Sequence, residues 1–187
     1  MEATALYFAD YNGLFPILSR HTNIGYKLFE RDKRDGKLYP LFIGKTEETK
    51  VGKWIHAEFI PTKGYAQRGG WHIGTIPSAP HLIGASGTYT SKRGKNFERV
   101  WCEVVYNANN NYNGYVQMLP KKCITDGIPE NGFYNFKEPN GALWVISSDI
   151  KINRVLTESE RCDILKKHNF DEAKAIEKRV EILNRRK

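Results

Sequence analysis

The sequence predicts an α+β fold, a mixed, mainly antiparallel sheet followed by a C-terminal helical pair. Three observations carry this. Short segments rich in β-branched and aromatic residues recur between residues 25 and 156, separated by turn formers. Helix signals cluster after Thr157, where a start signature is followed by an apolar stripe of helical period. The composition, 40% hydrophobic and 27% charged over 187 residues, is globular and about one domain long. Residues 1–156 are expected to form a strand-rich body, with residues 157–187 a helical tail packed on the same domain.

The opening residues mix aromatics with turn formers and give no clear element. Residues 25–30 and 37–43, YKLFE and KLYPLFI, read as two strands joined by a polar turn containing Asp35-Gly36, a hairpin signal. Pro40 places the second at an edge or bulge, because proline cannot donate to a ladder. Residues 54–60 alternate, with Ile55, Ala57 and Phe59 against Trp54, His56 and Glu58. Residues 71–76 form a short strand-like piece before Pro77 and Pro80. Residues 99–106, RVWCEVVY, make the clearest strand, with Val100, Cys102 and Val104 on one side. An asparagine-rich loop is expected over 107–113, and 114–128 is ambiguous. Residues 132–136, 143–146 and 149–156 read as further strands.

The tail opens on Thr157-Glu158-Ser159-Glu160, a capping box in which the Thr157 hydroxyl accepts an amide and Glu160 caps back. A helix follows to about His168. A second starts from Asp171 and carries Ala173, Ile176, Val180 and Leu183 on one stripe.

Charge and cysteine usage bound the function. The net charge is +8, and half of that excess lies in residues 151–187, where 11 Lys and Arg stand against 7 Asp and Glu. A basic balance favours polyanionic partners. Lys92, Arg93 and Lys95 in a flexible loop, and Arg185, Arg186 and Lys187 at the terminus, are the candidate nucleic-acid contacts. Aromatic residues beside cations, Trp71 near Arg68 and Phe97 near Arg93 and Arg99, suit base stacking, although such aromatics also serve as ordinary sheet packing. Cys102, Cys123 and Cys162 are odd in number and lack zinc-finger spacing, which fits reduced thiols and no structural zinc. No apolar run approaches membrane-spanning length and no secretory signal opens the chain. A cytoplasmic protein without a membrane partner is expected.

The densest chemistry lies at residues 64–84, GYAQRGGWHIGTIPSAPHLIG, with five glycines and two prolines. Glycine admits close backbone approach, and loops on a rigid sheet commonly hold sites. His72 and His81 can polarise a phosphate or transfer protons, with Tyr65, Arg68, Trp71 and Thr75 as ligand contacts. The competing expectation is a structural loop whose histidines cap backbone groups. Glu103 is a candidate acid, although a lone strand glutamate more often faces solvent. A metal site from His56, His72 and His81 is not expected, since their spacings match no common ligand set. Neither GxGxxG nor a Walker-type loop is present.

The blocks YKLF…LYPLFI, VGKWIHAE, PTKGYA…GGWH…PSAPHL, RVWCEV and W…IKINRVL resemble small uncharacterised proteins of phages and phage-derived mobile elements, over roughly residues 26–156. A fainter likeness is to ADP-ribosyltransferase-like proteins, including RNA 2′-phosphotransferases. It rests on the His-bearing strand, ERVWCEV and NGFYNF…NGALWVI. That resemblance implies a split antiparallel sheet gripping NAD or another phosphorylated nucleotide, with His72, His81 and Tyr65 as gripping residues and no metal. Two functional expectations follow. One is a phage or mobile-element accessory protein with an ADP-ribosyltransferase-like nucleotide pocket around residues 64–84. The other is a non-catalytic basic binder of nucleic acid or of a host defence protein. Both place the protein in the host cytoplasm, and whether it is an enzyme stays open.

Overall fold

The structure, a computed structural model, describes residues 21–58, 60, 68–84, 86–137 and 143–185. Nine strands among these form one mixed sheet: β1 (Thr22–Asp32), β2 (Leu38–Tyr39), β3 (Trp54–His56), β4 (Trp71–Gly74), β5 (Phe97–Asn107), β6 (Asn110–Asn111), β7 (Gly132–Lys137), β8 (Leu143–Ser147) and β9 (Asp149–Val155). Every pairing is antiparallel except the short β6–β7 contact, and the order is β3-β9-β5-β1-β4-β8-β7-β6 with β2 beside β1. The helices are α1 (Asn113–Met118), α2 (Glu158–Lys167) and α3 (Glu172–Asn184), with a 3-10 turn at Pro80–Leu82. The expected α+β class with C-terminal helices is therefore observed.

The central ladder pairs β1 with β5 over eleven residues, from Thr22 opposite Asn107 to Asp32 opposite Phe97. A single residue, Ser148, joins β8 to β9, yet β5, β1 and β4 lie between those strands. So short a link forces the sheet to curl until its two flanks meet. The contacts at Ser148 show that meeting: its carbonyl accepts from Ala57 beyond β3, and its amide donates to Gly132 at the start of β7. Residues alternate faces along a strand, so the curl gives an inner core of Phe29, Ile73, Cys102, Val104, Val145, Ile150 and Ile152. Gly25 permits the closure, since a Cβ there would lie 2.4 Å from Ile73 Cγ2.

The outward face carries two further clusters. Tyr134 and Ile146 pack against Val116 of α1 and against Ile124 and Ile128. Leu28 and Trp101 pack with Ala79, Leu156 and Ile164 of α2. The capping box at Thr157 forms as its sequence predicts, with Glu160 bonded to the Thr157 amide and the Thr157 hydroxyl to the Glu160 amide.

Several elements differ in extent from the sequence reading. The second strand shrinks to two residues because the chain turns after Tyr39, and the third stops at His56. Phe59 lies outside the described residues. The asparagine-rich segment is not all loop, for Asn110–Asn111 pairs with β7 and Asn113 begins α1. On α3 the docked stripe is shifted, since Ala173 is exposed whereas Ala175, Ile176, Val180 and Leu183 are half-buried. Polar anchors hold this helix. Glu172 meets Arg161, Ser78 and Tyr89, and Arg179 donates to the His81 carbonyl.

Candidate nucleic-acid interface

Two loops leave the β1–β5 ladder at its Asp32–Phe97 end. The β1–β2 turn closes through the Asp32 amide to the Lys37 carbonyl, 2.9 Å, and the Gly36 amide to the Asp32 carbonyl, 2.8 Å. Gly36 takes φ +76°, the left-handed conformation that Asp35-Gly36 turns require. The loop before β5 is tied to this turn by the Lys33 amide donating to Asn96 O, 2.9 Å. Together they hold Lys33, Arg34, Lys37, Lys92, Arg93 and Lys95 against two carboxylates, Asp32 and Asp35. That net of +4 equals half the excess of the whole chain.

The charges are not equivalent. Asp32 is buried and accepts from Arg34 through its amide, Nε and Nη2, and hydrogen bonding to Arg34 lowers its carboxyl pKa to about 2. Asp35 pairs with Lys37 at 3.0 Å. Arg93 lies 4.2 Å from the Phe97 ring centre and 4.6 Å from that of Tyr39, and those rings meet edge-on at 6.1 Å. This stack fixes the loop on β2. Lys33, Lys92 and Lys95 remain exposed and make no ion pair among the described residues. The arrangement is a fixed aromatic–arginine base carrying three free ammonium groups, which suits phosphate oxygens.

The sequence marks Lys92, Arg93 and Lys95 as contacts here and reads residues 31–36 as a turn. The missed residues, Lys33, Arg34 and Lys37, carry a signal visible in retrospect, the run KRDGK. Of the terminal cations, Arg185 lies 3.8 Å from Glu181, and Arg186 and Lys187 fall outside the described residues.

The histidine segment is built differently. His72 and Trp71 point to opposite faces of β4. Trp71 turns inward, donating from Nε1 to Ile55 O at 3.1 Å, while His72 turns outward beside Ile146. His72 Nε2 lies 3.3 Å from the Arg68 carbonyl oxygen. Burial first, and then the nearby cation Lys27, lower its pKa to about 4, so it is neutral at neutral pH. His81 sits in the 3-10 turn and meets the outward Trp144 edge-on, 5.5 Å between ring centres. Both imidazoles thus lie on the outward side. The Arg68 guanidinium covers the Phe136 ring at 3.9 Å, and Thr75 is exposed. Tyr65 lies outside the described residues. Neither histidine lines the cavity beside β5 or a smaller one beside α1. Glu103 faces outward and pairs with Arg154, at 3.2 Å, and with Asn153. His56 pairs with Asp149 at 2.9 Å. Among the described residues no three His, Cys, Asp or Glu side chains are placed to hold a metal ion, and no helix is long and apolar enough to cross a membrane.

Comparison with protein-family models, curated proteins and solved structures finds no match to this chain.

Proposed function

We propose that the protein is a non-catalytic binder of nucleic acid whose phosphate contacts come from the paired loops at the Asp32–Phe97 end of the sheet. The observation that carries this reading is the convergence of six cations from two separate sequence segments around the Arg93–Tyr39–Phe97 stack. A solvated surface kept only for solubility has no need to gather its cations so. Scattered lysines would serve equally well.

Binding of labelled single strands and duplexes is measured across a salt series. Log affinity should fall linearly with log salt, by about 0.7 per phosphate contacted for single strands and about 0.9 for duplex. Replacing Lys33, Lys92 and Lys95 together by Gln should flatten that slope by about 2 to 3, with the melting temperature unchanged. A slope unaffected by the triple substitution, or no binding to either form, overturns the reading. A thermal-stability gain with NAD or ADP-ribose instead would redirect attention to residues 64–84, and the resemblances to phage-encoded and ADP-ribosyltransferase-like proteins would then carry the function.

A further inference from the structure

A cavity of about 420 Å³ opens where β9 leaves β5. Its walls come from both faces of the sheet, with Arg31, Val100 and Val155 from the inner face and Tyr89, Arg99 and Trp101 from the outer. A hollow bounded by both faces lies along a strand edge rather than on a face. The edge is β5 itself. Its pairing with β9 ends at Cys102 opposite Val155, after which only the Leu156 amide reaches the Trp101 carbonyl, 2.8 Å.

That last bond sets the direction of the remaining groups. In a strand the amide and carbonyl of one residue point to the same side, and alternate residues share that side. Trp101 points its carbonyl away from β1, and so Arg99 does the same with both its amide and carbonyl. The Phe97 amide confirms the phase by bonding to Gly94 in the loop rather than to β1. Among the described residues, nothing hydrogen-bonds to the Arg99 amide or carbonyl or to the Trp101 amide. A donor, an acceptor and a donor at strand spacing therefore face the cavity.

We infer that this edge is a docking site for an extended peptide of a partner protein, added as a further strand along the line that β9 vacates. Only an extended main chain repeats acceptors and donors at that spacing, which is how strand addition works elsewhere. Alternate side chains would enter the two halves of the cavity, one against Val100 and Val155, the other against Tyr89 and Trp101. Of the three arginines in its walls, Arg99 is held by Glu30 and Arg161 by Glu158 and Glu172, which leaves Arg31 as the one able to take a further anion. Arg31 gives Nε and Nη2 to Glu98 and keeps Nη1 unbonded among the described residues, on a side chain 36% exposed. An acidic side chain in the peptide is the complement. This inference is independent of the nucleic-acid reading, since the paired loops need not be occupied for it to hold.

The test titrates the full chain with blocked pentapeptides, acetyl-Thr-Val-Asp-Val-Thr-amide and its counterparts with Glu, Thr or Lys at the centre, while following backbone amides by NMR. The Arg99 and Trp101 amides should shift and become slower to exchange with the acidic peptides. Methylating the central peptide nitrogens should weaken binding at least tenfold. Arg31→Gln, at a partly exposed pair that the fold can spare, should erase the preference of Asp over Lys. The inference is overturned if no peptide moves those two amides at millimolar concentration, or if N-methylated peptides bind equally well. It also fails if the amides respond to an oligothymidine strand instead, or if the protein sediments as a dimer with both amides already protected, which would make the edge a contact between two copies.

Discussion

Lys27 sits on the inner face of β1, a position where a methionine would serve the core better. Its Nζ donates to the His72 carbonyl at 3.0 Å and lies 5.3 Å from the Trp71 ring centre and 5.8 Å from that of Phe29. Burial is the chief cause that brings its pKa from 10.5 to about 8. The gap corresponds to about 3 kcal/mol against the charged form in the folded state. Because the folded value lies below the unfolded one, that cost is fully present below pH 8 and disappears as the pH rises toward 10.5. Lys27→Met removes the ammonium and one hydrogen bond worth about 1 kcal/mol. The variant should therefore be about 2 kcal/mol more stable than the parent at pH 7, with the advantage gone by pH 10. Cys102, Tyr89 and Tyr134, whose pKa values burial raises to about 12, lose protons in the unfolded state over the same range. All three stay protonated in the fold of both proteins up to pH 10, so their contributions cancel in the difference, which reports Lys27. Urea unfolding followed by tryptophan fluorescence at pH 7, 8, 9 and 10 gives that difference directly. A stability difference that stays constant across the series would refute the claim that the Lys27 ammonium is desolvated.

Three further outcomes are expected. Arg99→Ala strands the buried Glu30 carboxylate, whose Oε2 already lacks a partner among the described residues, and should cost about 3 to 5 kcal/mol in unfolding free energy. Replacing Glu30 and Arg99 together by Leu and Met should recover most of that loss, and a double variant no better than the single one would show that the pair does more than neutralise itself. Gly70 holds φ +117°, and a Cβ there would lie 2.7 Å from Ile128 Cδ1 and 2.9 Å from Ile146 Cγ2, so Gly70→Ala should lower stability by at least about 2 kcal/mol by denaturant midpoint. Thr157→Ala removes the cap of α2 and should cost about 1 kcal/mol by the same measurement, with Thr157→Ser near neutral.

What the sequence determined by itself was local. The Thr157–Glu160 capping box, the Asp35-Gly36 turn and the alternation of residues 99–106 each depend on neighbours a few positions away, and each stands in the structure as written. The strand boundaries were less legible, since a strand ends where its partner ends, and that partner lies far off in sequence. The site was less legible still. Lys33 meets Asn96 and Arg93 meets Tyr39 only because β1 and β5 pair over eleven residues, joining loops some sixty residues apart in the chain. His72 reads in sequence as a titratable histidine in a short strand-like piece, and only its packing beside Ile146, with Lys27 near, holds it neutral at neutral pH. Likewise the free edge of β5 exists because β9 ends at Val155 and the chain turns through Leu156 and the cap Thr157 into α2. Hydrogen bonds between near neighbours are encoded locally, whereas burial, electrostatic environment and the company each charge keeps are properties of the whole packed chain.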